Sequence, residues 1–262
     1  MLVITGATDG IGRAYTHELA RRGMNVCLIS RSEDKLKKET EDIQQKFKVQ
    51  TKHIAFDFNT TKDDDYLNKL LPQLNQIEVG ILVNNVGISY DHPMYLEELP
   101  NDRIDALINL NVRAATVLSK AILPSMLERK RGAIINLASI SGMASIPFLS
   151  VYSGTKAFIE RFSTSLNCEY ANRGIFVQCI APGIVVSNMS KIRKPSLFIP
   201  MPNVYARAAI NCIGYEKSTA GYWAHRVQTF LITVIPTFIS EKLMYDMHFG
   251  QRKRALAKKK TQ

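Results

Sequence analysis

Tyr152 and Lys156 lie four residues apart where a helix-like segment begins, so their side chains share one face. A free tyrosine titrates near pH ~10 and is a weak base at neutrality, but an ammonium beside it favours the phenolate and lowers that value. Such a tyrosine can hand its proton to a carbonyl oxygen as that oxygen is reduced. A Tyr-x-x-x-Lys pair is by itself common on exposed helices. Ser139 gives it meaning, because it ends an apolar strand-like run shortly upstream, where a hydroxyl can hold a substrate oxygen in line with the tyrosine. Ser141 competes for that role. Asn111 lies inside a long helical segment despite poor helix propensity, and its amide can anchor a water or a local bend that links Lys156 to solvent.

A second set of residues suits phosphate. The first strand-like run leads into Thr5-Gly6-Ala7-Thr8-Asp9-Gly10-Ile11-Gly12 and a helix that carries Arg13 just inside its start. Open backbone N–H groups and the positive end of a helix attract anions, and glycines let a phosphate approach closely. The G-x-x-x-G-x-G spacing is one residue wider than the common dinucleotide fingerprint. No Lys-Ser/Thr follows it, which argues against an ATP-binding loop. The end of the second strand selects the cofactor: an acid there would accept from the ribose of NAD, whereas a base accommodates the 2′-phosphate of NADP. Ser30-Arg31 stands at that point, with Arg13 as a second partner, and guanidinium groups match phosphate geometry. NADP(H) is the cofactor predicted.

The elements that must position these groups alternate. Short runs rich in Val, Ile and Leu at 2–5, 25–30, 50–56, 79–84, 132–138 and 175–180 read as strands buried on both faces. Helix-like segments fall between them at 11–22, 33–47, 63–74, 103–129 and 151–172. The pattern predicts an α/β fold, a Rossmann-type doubly wound parallel sheet of six or seven strands with helices on both faces and ligands at the carboxyl ends of the strands. After Pro182-Gly183 the alternation stops. Residues 188–203 carry three prolines and large apolar groups, including Phe198, Ile199 and Met201, the composition of a flap over an apolar ligand. A C-terminal helical extension is expected at 203–214, 219–234 and 237–249, with a faint seventh strand near 216–222. Nothing divides the chain, so residues 1–262 read as a single domain ending in a basic tail at 251–262.

The net charge of +11 is uneven, since Arg252, Lys253, Arg254, Lys258, Lys259 and Lys260 supply six cations without an acid among them. The mildly basic remainder suits an anionic cofactor and calls for no nucleic-acid partner. The four cysteines are scattered, with no metal-ligand spacing, and three fall in segments read as buried strand or helix; a reducing compartment follows. The apolar stretch from Phe230 to Ile239 is about half a bilayer span and is broken by Pro236. The opening run Leu2-Val3-Ile4-Thr5 reads as a first strand with no signal peptide, as expected of a short isoform or of a fragment.

Together these residues resemble the short-chain dehydrogenase/reductase family. The resemblance comprises the TGATDGIG turn, Asp57, Asn84-Asn85-Val86-Gly87, Asn111, Ser139, Tyr152 with Lys156, and Pro182-Gly183-Ile184-Val185 with Ser187, all in family order. It implies Ser139, Tyr152 and Lys156 as the triad, with Asn111 as relay. It also implies a cofactor bound by Thr5, Gly6, Asp9, Gly10, Ile11, Gly12, Arg13, Arg31, Asp57, Asn85, Gly87, Lys156, Pro182, Gly183, Val185 and Ser187. The stretches at 23–36, 78–90 and 191–197 are similar to 17β-hydroxysteroid dehydrogenases and very-long-chain 3-oxoacyl-CoA reductases. That branch implies NADPH-driven reduction of a lipid ketone, either a 3-oxoacyl-CoA or a 17-ketosteroid, at the cytosolic face of the endoplasmic reticulum membrane. Members of it carry an N-terminal anchor that is not seen here, so peripheral attachment would rest on the C-terminal helices and basic tail. Lys259-Lys260-Thr261-Gln262 has the lysine placement of a dilysine retrieval signal. The long helices imply a homodimer face. The competing expectation, a catalytically silent cofactor-binding relative, is opposed by the intact Ser139, Tyr152 and Lys156 set.

Overall fold

The computed structural model describes residues 1–260. Seven strands, β1 (Leu2–Thr5), β2 (Val26–Ser30), β3 (Thr51–Ala55), β4 (Ile81–Asn84), β5 (Gly132–Leu137), β6 (Ile175–Ile180) and β7 (Ser218–Thr219), form one parallel sheet in the order β3-β2-β1-β4-β5-β6-β7. Strand order reverses between β1 and β4, which opens a crevice at their carboxyl ends. Side chains alternate across the sheet. On one face Leu2, Ile4, Leu28, Val83 and Ile180 pack with Tyr15, Leu19 and Tyr205; on the other Val3, Cys27, Ile29, Leu82 and Val177 pack with Leu118, Ile122 and Met126.

The crossovers are α1 (Gly10–Arg21), α2 (Glu33–Phe47), a helix over 63–74, a long helix Asn101–Glu128 and α7 (Ser150–Tyr170). The 63–74 helix joins α3 (Asp63–Asp65) to α4 (Leu71–Leu74) through a π turn at Tyr66–Leu70. The long helix joins α5 (Asn101–Ile108) to α6 (Ala114–Glu128) through a second π turn at Asn109–Arg113. Asn101–Glu128 is the one helix among the described residues long and apolar enough to cross a membrane, but it packs on the sheet as a core helix.

Beyond β6, the flap leads to α8 (Pro202–Ile210), β7, α9 (Trp223–Val234) and α10 (Thr237–Lys260). Three expectations change here. The seventh strand is real but only two residues long, held beside β6 by Cys179↔Ser218 and Ile180↔Thr219. The helix expected from 219 starts at Trp223, because 218–219 belongs to the sheet. The expected tail from 251 instead continues α10, anchored where Arg252 bonds both carboxylate oxygens of Glu98 and lies 5.1 Å over the Tyr95 ring. Pro236 separates α9 from α10, as expected. Cys27, Cys179 and Cys212 are buried, while Cys168 is exposed. The dilysine-like end runs into Thr261 and Gln262, which lie outside the described residues.

Candidate active site

The crevice walls are built by the turns that follow β1 and β4. Gly6 and Gly10 take positive φ (64° and 54°), which L side chains rarely adopt, so glycine is favoured at both. A Cβ on Gly6 would stand 2.9 Å from the Asn85 amide, and one on Gly12 would strike both Asn85 and the Gly6 carbonyl. Asn85 fills that space to useful effect. Its Nδ2 donates to the carbonyls of Thr5 (2.9 Å) and Gly6 (3.2 Å), and Thr5 Oγ1 accepts from the N–H groups of Asn85 and Val86, both at 3.0 Å. The turn is thus locked to β4 before any ligand arrives. Asp9 caps α1 through Oδ1, which accepts from Gly10 N–H at 2.7 Å, and its Oδ2 accepts from Asn188 at the start of the flap. Ile11 follows in the first turn of α1.

Around this cradle lie the residues expected to choose the cofactor. Arg31 is exposed just past β2, with no side-chain partner among the described residues, while Ser30 Oγ meets Thr8 Oγ1 at 3.0 Å. Arg13 is half exposed, and its Nε bonds Glu39 of α2 at 2.8 Å. Asp57 is exposed after β3 and accepts from Asn59 N–H at 2.9 Å. The glycines without room for Cβ and the unpaired Arg31 together fit a phosphorylated dinucleotide lying across the crevice.

At the carboxyl end of β5 the chemical groups converge. Ser139 Oγ accepts from the Ser141 N–H (3.2 Å) and hydroxyl (2.8 Å), which leaves its own proton free to donate. Tyr152 lies close enough to Ser139 and Ser141 for their hydroxyls to favour its phenolate. Burial raises its pKa above the usual tyrosine value, and those two hydroxyls offset part of the rise. Lys156 is buried one turn along α7; its Nζ lies 5.8 Å from the Tyr152 ring centroid and donates to the Leu137 carbonyl at 2.9 Å. Burial lowers its pKa to about 8. Ser141 therefore supports Ser139 and shares the tyrosine with it.

Asn111 is buried in the second π turn, where its Oδ1 accepts from Ile88 N–H (2.8 Å) and its Nδ2 donates to the Ile88 carbonyl (3.0 Å) and to Thr155 Oγ1 (3.0 Å). The helix takes a π turn at this point, and the asparagine ties it to the loop after β4 and to α7. Gly87 lies against this knot, because a Cβ there would sit 2.8 Å from Asn111 Oδ1 and 3.5 Å from Lys156 Nζ. Pro182 and Gly183 follow β6, and the Pro182 carbonyl accepts from Ile140 N–H, next to Ser139, at 3.0 Å. Val185 is buried and Ser187 bonds Ser190 where the flap begins.

Several supporting residues were not foreseen. Thr155 receives Asn111. Asn84 donates to Asn136 (2.8 Å) across the strands and to Ser119 (3.2 Å), and Asn136 donates to Ser163 (2.9 Å), a buried network that joins β4 and β5 to α6 and α7. Asparagines inside apolar strands were the available signal. His225 bonds Gly183, and nothing in its sequence neighbourhood marked it.

A sequence profile described as short chain dehydrogenase matches residues 1–196. The chain is 43% identical over 260 residues to a very-long-chain 3-oxoacyl-CoA reductase of Rattus norvegicus, covering 98% of this chain and 82% of that one. It is 42% identical, with the same coverage, to the Homo sapiens protein of that name. Among solved structures it resembles a short-chain dehydrogenase from Sphingobium yanoikuyae in complex with NADPH, at TM-score 0.76 and 26% identity over 90% of this chain and 96% of the other.

Proposed function

The chain belongs to the short chain dehydrogenase family, and from that premise we propose that it reduces the 3-oxo group of a long-chain acyl-CoA with NADPH. The observation that carries this reading is the convergence of the Ser139 and Tyr152 hydroxyls at the strand end beside the buried Lys156 ammonium. NADPH, held by the turn after β1 with Arg31 on its 2′-phosphate, supplies the hydride when bound. Everything else is done by side chains. Ser139 donates its free proton to the ketone oxygen and holds it in line with Tyr152. Tyr152 gives that oxygen its proton as charge develops. Lys156 supplies positive charge beside the tyrosine, and Asn111 holds the loop after β4 against α7 so that Lys156 and Gly87 keep their places. Asp57, Asn85, Gly87, Pro182, Gly183, Val185 and Ser187 line the cofactor in this reading.

The substrate is apolar and bulky, consistent with exposed Phe198 and Met201 on the flap. The same reading puts the enzyme at the cytosolic face of the endoplasmic reticulum membrane, held peripherally by α9 and α10, and pairs two copies through Asn101–Glu128 and α7. The deciding assay follows NADPH oxidation with a long-chain 3-oxoacyl-CoA and, separately, a 17-ketosteroid. Turnover of the thioester is expected; turnover of the steroid alone would move the substrate class, and turnover of neither would favour a silent cofactor-binding relative.

A further inference from the structure

His225 is fully buried in the first turn of α9, between the rings of Tyr205 (5.5 Å between centroids) and Tyr222 (5.3 Å). Its protonation is fixed by its partners. The Phe198 carbonyl can only accept, so Nε2, 3.2 Å away, carries the proton. Nδ1 is then a lone pair, and it accepts from Gly183 N–H at 3.2 Å. Burial lowers the His225 pKa, in keeping with this neutral form. Gly183 leaves no room for a side chain beside the ring: a Cβ there would come within 2.8 Å of Cδ2 and 3.0 Å of Gln228 Oε1. One residue back, the Pro182 carbonyl holds Ile140 N–H beside Ser139. A short covalent and hydrogen-bonded path therefore runs from Phe198 on the flap, through one rigid imidazole, to the turn that carries Ser139.

We propose that His225 is a positioning residue that joins the substrate flap to the Ser139 turn, so that flap placement and hydroxyl placement are set together. The inference rests on the reductase reading of Ser139 and Tyr152. An imidazole suits the task because its two nitrogens face opposite ways at a fixed separation, so displacement of Phe198 is passed to Gly183.

Three substitutions separate the two links. His225→Asn keeps an acceptor at the Nδ1 position, His225→Gln keeps a donor at the Nε2 position, and His225→Phe keeps a ring with neither. Two measurements apply to each: steady-state kinetics with NADPH and a 3-oxoacyl-CoA, and the rate of tryptic cleavage at the exposed flap residues Lys191 and Arg193. His225→Phe is expected to lower kcat about tenfold, the cost of small misplacement, with NADPH affinity changed less than about twofold. Its flap should be cut about fivefold faster, as loss of one hydrogen bond allows. His225→Asn should keep kcat but raise the ketone KM and speed cleavage, whereas His225→Gln should keep KM and slow cleavage but lose kcat. A His225→Phe enzyme with native kinetics, or Asn and Gln variants with the same kcat-to-KM split, overturns the proposal. If the Phe variant does not fold, the Asn and Gln pair decides. If the wild type reduces no ketone, the reductase reading fails by itself; cleavage then judges the flap link, which is sustained by a difference between the Asn and Gln variants and overturned by equal rates.

Discussion

Tyr152 is pulled in two directions. Burial favours its neutral hydroxyl, while the nearby Ser139 and Ser141 hydroxyls favour the phenolate, and burial wins. A tyrosine that holds its proton firmly is well suited to protonate a ketone oxygen at neutral pH. Replacing Tyr152 with Phe should cut kcat by about 10²–10⁴, the usual worth of a positioned acid, while NADPH binding measured by fluorescence titration stays near the wild-type value. A Phe variant with wild-type turnover would remove the tyrosine from the mechanism. Lys156 carries a pH signature. Its folded pKa, about 8, lies below its ordinary value of 10.5, so the unfolded chain binds the proton more tightly. The cost of burying this charge is fully present below about 8 and is relieved as pH rises from there toward the ordinary value, so this group's contribution to stability increases across that window. Activity should move the other way, because the ammonium beside Tyr152 is lost. A profile of kcat/KM for reduction should fall as pH rises through about 8, and one that stays flat well beyond that point would contradict the role given to Lys156.

Elements hold these side chains through a few knots, and the knots explain what could be read in advance. Most strands were legible because burial on both faces leaves runs rich in Val, Ile and Leu, whereas β3, at the sheet edge, is only partly buried. The triad was legible because Ser139 follows a strand and Tyr152 and Lys156 lie near the start of a helix. The π turn at Asn109–Arg113 was visible only as a misplaced asparagine, since its geometry is fixed by the distant Ile88 peptide and Thr155. The two residues of β7 carry no periodicity, and pairing with β6 alone defines them. The helical course of 251–260 was hidden because its sequence is merely basic; Arg252 on Glu98 and Tyr95 provides the anchor. Asn111→Leu should show what that knot is worth. It strands the Ile88 N–H and carbonyl in a partly buried site, so unfolding should become easier by about 1–3 kcal/mol in a denaturant titration. The same variant should lose turnover beyond its stability loss, because Gly87 and Lys156 shift with it. Full activity in a destabilised Asn111→Leu protein would make the asparagine purely structural.

Over the whole surface, apolar exposure is concentrated at the C-terminal end of the chain. Trp223, Val227, Phe230, Leu231 and Val234 recur at helical spacing along one side of α9, all exposed, and Phe238, Ile239 and Leu243 continue the series on α10. Phe230 is 63% and Phe238 74% exposed, large areas for phenyl rings. The last turns of α10 add exposed Lys253, Arg254, Lys258 and Lys259. Apolar side chains for the acyl boundary and cations for anionic headgroups are the two signals that together hold a protein to a membrane surface without spanning it. Under the proposed function, a substrate with a long acyl chain would reside in that same surface. The purified protein should therefore float with vesicles containing phosphatidylserine, and less well with purely zwitterionic ones. Phe230→Ser combined with Phe238→Ser should lower vesicle partitioning roughly tenfold or more, from the apolar area withdrawn. Turnover of a short, water-soluble 3-oxoacyl-CoA should be kept, because neither ring belongs to the catalytic cluster. If the double variant floats as well as wild type, the apolar series on α9 and α10 faces a partner other than lipid, and a second copy of the chain becomes the occupant to test by sedimentation.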